Sequence, residues 1–280
     1  MSSADKLFNK RILITGAARG VGAETARILA GRGAKLALVD INVEQLATTA
    51  AAQAPGTVCL EADVRDSQQV KSAVEAAVNH CGGLDVVLAN AGIIQVEPFA
   101  EITQEAFQRT LDVNVFGAWH TLRESLPALG ESSGYALVIS SLVAAVHLPY
   151  MATYDASKAA IEALANAGRA ELKIAGSKVD LGVAYFSVIN TDFAHDAAKG
   201  SEELPLSEIS HGPIFKLLEP QRVARAIVRG IERRSRRIVV PWYYGTVPFM
   251  PGFAQRFSES YMGFLARRKT KSRKRATDVG

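Results

Sequence analysis

Arg11-Ile12-Leu13-Ile14-Thr15-Gly16-Ala17-Ala18-Arg19-Gly20-Val21-Gly22 holds an apolar run, a turn with three glycines, and the start of an Ala- and Leu-rich helical pattern over residues 20–31. A continuous apolar run reads as a strand covered on both faces, not one with a wet side. Glycine suits a turn where the backbone must bend sharply or approach a ligand closely. A helix N-terminus behind such a turn offers free N–H groups and a positive dipole end, the chemistry that holds a pyrophosphate.

The same alternation continues along the chain. Residues 35–40 (KLALVD), 57–62, 84–90 (LDVVLAN), 135–141 (YALVISS), 178–186 (KVDLGVAYF) and 237–240 (RIVV) read as further strands. Helical patterns lie between them at 43–54, 67–80, 103–129, 152–174 and 221–233. Regular β-α alternation predicts an α/β chain: a single doubly wound Rossmann-type domain with a parallel seven-stranded sheet. Residues 1–240 make up that dinucleotide-binding and catalytic domain, and 241–280 an aromatic-rich C-terminal extension with a basic, disordered tail.

A chain of 280 residues, 48% hydrophobic and 21% charged, buries a core that needs no disulfide or metal staple. Cys59 and Cys81 lack CxxC spacing and read as reduced thiols. His80, His120, His147, His195 and His211 form no ligand pair, so no metal is expected. No secretory signal is visible, and the longest apolar stretch, 136–152, is interrupted by Ser140, Ser141, His147 and Pro149. A cytoplasmic location is expected. The net charge is +4. Four arginines at 233–237 and seven basic residues at 267–275 supply the excess; subtracting those eleven from +4 leaves a body of −7.

Two further placements carry chemistry. Asp40 ends the second strand, where a carboxylate can accept hydrogen bonds from both hydroxyls of a dinucleotide ribose and repel a 2′-phosphate. Two such charges about 4 Å apart repel by about 1 kcal/mol in water and about 4 at a partly shielded surface. NAD is therefore expected over NADP. Tyr154 and Lys158 stand four residues apart, on one helical face. A nearby ammonium, helped by a cationic nicotinamide ring, favours the phenolate of a phenol whose ordinary pKa is about 10. Ser141 ends the fifth strand, at the carboxyl edge where open α/β sheets bind ligands, and its hydroxyl can hold a substrate oxygen beside Tyr154.

The GxxxGxG spacing of Gly16, Gly20 and Gly22 behind Thr15, followed in order by Ser141, Tyr154 and Lys158, resembles the short-chain dehydrogenase/reductase family over roughly residues 10–192. The resemblance implies a hydride transfer between NAD(P) and a hydroxyl or carbonyl compound. Tyr154 would be the general acid/base, Lys158 would hold the nicotinamide ribose and depress the phenol pKa, and Ser141, the second serine of its pair, would orient the substrate oxygen. Asn114 would bend its helix and anchor a water that relays protons to the lysine. Gly16, Arg19, Gly20, Val21 and Gly22, Asp63 and Val64 at the adenine, Asn90-Ala91-Gly92, and Val188 with Thr191 would line the cofactor. Arg19 argues for NADP, since NADP-preferring relatives often carry a basic residue in this loop. Ser187-Val188 stands where most relatives have Pro-Gly, so an adjusted cofactor contact is expected there.

Substrate contacts should come from loops 94–99, 143–150 and 193–215. Ile94, Val96, Phe99, Val143, Val146, Leu148, Tyr150 and Met151 make the first two apolar, which suits a hydrophobic alcohol or ketone, steroid- or lipid-like. Residues 240–265 combine aromatics with the basic run beyond, a pattern suited to peripheral membrane contact; no nucleic-acid motif accompanies it. Helices 103–129 and 152–174 resemble the surfaces that pair subunits in the family, so a homodimer or homotetramer is expected. The rival readings are an NADPH-dependent ketoacyl-thioester reductase and a dinucleotide-binding regulator without catalysis.

Overall fold

Apolar runs with no polar alternation need cover on both faces, and the computed structural model, which describes residues 5–51, 55–190 and 217–246, places them in one parallel sheet. Its strands are β1 (Arg11–Thr15), β2 (Lys35–Asp40), β3 (Val58–Glu61), β4 (Val86–Ala89), β5 (Tyr135–Ile139), β6 (Asp180–Phe186) and β7 (Arg237–Val240). Their order is β3-β2-β1-β4-β5-β6-β7. The seven-stranded Rossmann-type sheet expected from the sequence is the one observed.

Successive residues of each strand feed opposite layers. Ile12, Ile14, Leu36, Leu38, Leu88 and Leu137 face one layer, closed by α1 (Gly20–Ala30) and α7 (Pro220–Glu232). Leu13, Ala37, Val39, Val87, Ala136 and Val138 face the other, closed by α3 (Ser67–Cys81), α5 (Gly117–Ser132) and α6 (Ala152–Ile174). Each fully buried Leu, Ile or Val contributes roughly 1.5–3 kcal/mol of transfer free energy. The remaining helices are α2 (Val43–Ala51) and α4 (Gln104–Leu111).

One helix starts where expected and another departs from expectation, both for local reasons. The helix expected to begin with Ser67 is capped one residue earlier by Asp66, whose carboxylate accepts from the Gln68 and Gln69 amides. The long helix expected over 103–129 is broken. After α4 the chain makes a π-helical turn over Asp112–Phe116 before α5 resumes the ordinary pitch. Asn114 lies inside that turn, and its side-chain amide bonds to the backbone of Ile93. Such local competition is why Asn is a poor residue for a helix interior.

The strand order reverses between β1 and β4, so the connections leaving those two strands diverge and open a crevice at their carboxyl ends. The glycine turn, Asp40, Asn90-Ala91-Gly92, Ser141 and residues 187–190 all leave strands at that edge.

Candidate active site

The glycine turn is tight enough to exclude side chains. Gly16 has φ +65°, and a Cβ built on it would sit 2.7 Å from the Ala91 Cα. A Cβ on Gly22 would overlap the Gly16 carbonyl oxygen. Gly20 also takes a positive φ, of 59°. Arg19, exposed at the N-cap of α1, makes no side-chain cap to the first-turn N–H groups. Val21 follows on that turn and packs into the core. A dinucleotide pyrophosphate fits this cradle: bare glycine backbone, first-turn N–H donors that Arg19 does not cap, and a dipole end.

The Asn90-Ala91-Gly92 triplet joins the cradle to the rest of the site. Asn90 Nδ2 donates to the carbonyls of Thr15 and Gly16, at 3.0 and 2.9 Å. The Thr15 hydroxyl accepts from the amides of Asn90 and Ala91. On the other side, a Cβ on Gly92 would lie 3.2 Å from Asn114 Oδ1 and 3.6 Å from Lys158 Nζ. Sequence reading singled out the triplet but missed the Thr15 hydroxyl as the clamp behind it.

Asp40 stands where expected. Its Oδ2 accepts from the Ala18 amide at 2.9 Å and its Oδ1 from the Asn42 amide at 3.0 Å, tying β2 to the glycine turn. Asp63 is paired with Arg65, and that hydrogen bond holds its carboxyl below the usual range. Val64 is buried, and its carbonyl bonds His120 Nδ1 at 3.0 Å.

The acid/base residues come together across α6 and the end of β5. Ser141 lies two residues past β5, where its hydroxyl caps a short 3-10 turn and donates to the Phe186 carbonyl at 3.3 Å. It also lies close enough to the Tyr154 phenol to favour its ionised form. Ser140 points elsewhere, donating to the Lys158 carbonyl at 3.0 Å, which explains why only the second serine faces the phenol. Lys158 Nζ lies 5.4 Å from the Tyr154 ring centroid and donates to the Ile139 carbonyl at 3.0 Å. Asn114 is 2% exposed. Its Nδ2 also donates to the Ser157 hydroxyl at 2.9 Å, and that hydroxyl donates to the Tyr154 carbonyl.

The electrostatics of the site without dinucleotide are set by burial. Burial pushes the Tyr154 phenol above its ordinary range, the Asp155 charge adds to this, and the Ser141 hydroxyl opposes it. Burial also pulls the Lys158 ammonium down to about 8. The ammonium is bonded to a backbone carbonyl rather than to the phenol oxygen, and desolvation of both groups outweighs their proximity. The depression expected of Tyr154 would therefore need the cationic nicotinamide ring as well as Lys158.

The wall beside the phenol is apolar: Val143, Leu148 and Met151 form a cluster with Ile94, Val96 and the Tyr154 ring. The two loops are joined where the Glu97 amide donates to the Tyr150 carbonyl at 2.9 Å. Phe99, expected on this wall, is instead 82% exposed on its own 3-10 turn. After β6, the Val188 carbonyl accepts from the Leu218 amide at 2.9 Å and the Asn190 amide donates to the Leu218 carbonyl at 2.8 Å, so a short bridge fixes the path where Pro-Gly was expected. Thr191, loop 193–215 and the tail from residue 247 lie outside the described residues.

Comparison with known proteins agrees with this geometry. Residues 10–202 match the family described as short chain dehydrogenase. An 11-beta-hydroxysteroid dehydrogenase 1A of Arabidopsis thaliana is 31% identical over 253 residues, 86% of this chain and 71% of the relative. A galactitol 2-dehydrogenase of Agrobacterium fabrum is 39% identical over 112 residues, 40% of this chain and 44% of the relative. The crystal structure of a 3-ketoacyl-(acyl-carrier-protein) reductase from Brucella melitensis complexed with NADH superposes with a TM-score of 0.75 at 26% identity, covering 84% of this chain and 97% of the other. With its parallel sheet, glycine cradle and Ser141–Tyr154–Lys158 cluster, the chain belongs to the short-chain dehydrogenase family and is an NAD(P)-dependent oxidoreductase acting on CH–OH groups.

Proposed function

We propose that this enzyme transfers a hydride between NAD(H) and an apolar secondary alcohol or its ketone, with Tyr154 as general acid/base. The observation that carries the proposal is the gathering of Ser141, Tyr154 and Lys158 beside the glycine cradle, with Lys158 Nζ 5.4 Å from the phenol ring centroid. The nicotinamide, when bound, supplies or accepts the hydride. Ser141 and Tyr154 then present two hydroxyls to one substrate oxygen. In reduction Tyr154 gives that oxygen a proton; in oxidation it removes one. Lys158 and Asn114 both approach Gly92, where they would orient the ribose and pass protons between the phenol and solvent. Positioned acid/base chemistry of this kind contributes about 10²–10⁴ in rate.

Asp40 supports NAD over NADP, since a 2′-phosphate would meet its carboxylate at the end of β2. The wall of Ile94, Val96, Val143, Leu148 and Met151 supports an apolar substrate, as does the likeness to a hydroxysteroid dehydrogenase. The likeness to a ketoacyl reductase, together with exposed Arg19, favours a second reading, an NADPH-dependent thioester reductase. Assays pairing NAD(H) or NADP(H) with secondary alcohols, steroids and a 3-ketoacyl thioester separate the two. In the favoured pair, Tyr154→Phe is expected to lose about 10²-fold or more in kcat while dinucleotide affinity stays near wild type; equal turnover refutes the assigned role.

We also propose that subunits pair through the face bearing Phe107, Trp119 and Leu164, all partly exposed on α4, α5 and α6. Trp242 is 80% exposed and Tyr243 49% just after β7, which supports contact between the C-terminal extension and a lipid surface. No helix among the described residues is long and apolar enough to cross a membrane.

A further inference from the structure

Asp155 touches the chemistry above only through its charge beside the phenol, yet it is among the most deeply placed charged side chains described, at 4% exposure. It occupies the first turn of α6, directly after Tyr154. Its Oδ2 accepts from the Leu148 amide at 2.7 Å. Its own amide donates to the Met151 carbonyl at 2.8 Å. Its Oδ1 is buried without a hydrogen-bond partner. Burying a carboxyl with one oxygen unsatisfied is costly, so the group persists only where it holds something in place.

What it holds is one side of the substrate wall. Leu148 and Met151 contact Val143, Ile94, Val96 and the Tyr154 ring. Leu148 is itself buried, and its amide would be orphaned without the carboxyl. The Tyr150 carbonyl between them takes the Glu97 amide from the facing loop. One carboxyl therefore latches residues 148–151 to the helix that bears the phenol, and through them aligns loop 94–97. Burial pushes the carboxyl up to about 8, so near neutrality it is largely protonated and an amide is its closest mimic.

We infer that Asp155 is a positioning residue which, through the Leu148 amide, fixes the apolar loop 148–151 over Tyr154 and sets how tightly an apolar alcohol or ketone is held. The inference rests on the hydride-transfer reading for its substrate, but its structural half can be tested without turnover. In the full chain, Asp155→Leu removes the acceptor at similar volume and Asp155→Asn keeps it. Hydrogen exchange at the Leu148 amide is expected to speed up about tenfold or more in the Leu variant and to stay within about threefold of wild type in the Asn variant, about 1.4 kcal/mol marking a tenfold change. With NAD and a long-chain secondary alcohol, KM is expected to rise about tenfold in the Leu variant, kcat to fall less than KM rises, and the Asn variant to restore KM. Unchanged Leu148 protection in Asp155→Leu overturns the latch; faster exchange with unchanged KM overturns its role in substrate binding. Absence of turnover in wild type with every alcohol and ketone defeats the hydride-transfer reading and the substrate half together, while the exchange result still decides the latch. Should Asp155→Leu not fold, the Leu148 amide resonance of the wild-type protein is followed against pH: movement with a carboxyl titration supports the contact, and a flat response overturns it.

Discussion

Replacing Gly22 by alanine should damage cofactor binding and stability together. The added Cβ would overlap the Gly16 carbonyl oxygen and lie 2.7 Å from Asn90 Nδ2. The first neighbour is backbone and cannot swing away. The second is already committed, donating to Thr15 and Gly16. Overpacking of this kind costs about 1–3 kcal/mol, and each Asn90 hydrogen bond given up adds about 0.5–1.5 kcal/mol. The sum is on the order of 2–5 kcal/mol, which for a chain of this size lowers Tm by on the order of 10 °C. The displaced atoms belong to the turn that cradles the pyrophosphate, so NADH affinity should fall at least about tenfold. Thermal unfolding and fluorescence titration with NADH read both effects. Gly130→Ala is the control: it lies near the end of α5, and a Cβ there meets nothing within 4 Å. That change should gain about 0.5–1 kcal/mol and leave NADH affinity alone. If Gly22→Ala matches wild type in both Tm and NADH affinity, the cradle does not work as described.

Two other outcomes follow from the electrostatics. Asp40→Ala should lower the preference for NAD over NADP in kcat/KM by about tenfold or more, because the carboxylate that repels a 2′-phosphate is gone; an unchanged ratio measured with both cofactors contradicts the ribose contact. Asp155 has its carboxyl raised from 3.8 to about 8 in the fold, so the stability it contributes is complete below about pH 4 and is lost as pH rises through about 8. Urea unfolding should therefore show wild type losing more stability than Asp155→Asn between those limits, by on the order of several kcal/mol; parallel curves count against a buried carboxyl. Lys158 has the opposite sign: its ammonium is lowered from 10.5 to about 8, so the native state gains stability as pH rises across that window, and Lys158→Met should flatten the gain.

The sheet was legible because its strands are covered on both faces. Ile12, Leu13 and Ile14 feed both layers, and no polar residue interrupts them. The glycine turn was legible because few other sequences satisfy a sharp bend and a close backbone approach at once. The break around Asn114 was less visible, since apolar spacing runs through residues 103–129 and only the side-chain bonds to Ile93 mark the π turn. Asp155 gave no signal at all. A charged residue in a first helical turn ordinarily faces solvent near the positive dipole end; here the loop folded over it decides its burial. The nearness of the phenol to Lys158 is legible in their spacing, whereas the dryness around both groups, which pushes the phenol up and the ammonium down before any dinucleotide binds, is not.

That last point defines the central test. Difference spectra of wild type against Tyr154→Phe isolate the ionisation of one phenol in the near ultraviolet. Without dinucleotide, the midpoint should lie above the ordinary value of about 10, as burial dictates. With oxidised NAD bound, the positive nicotinamide ring and the ordered Lys158 should bring it below about 10. A midpoint that does not move when NAD binds would contradict Tyr154 as the acid/base of this enzyme.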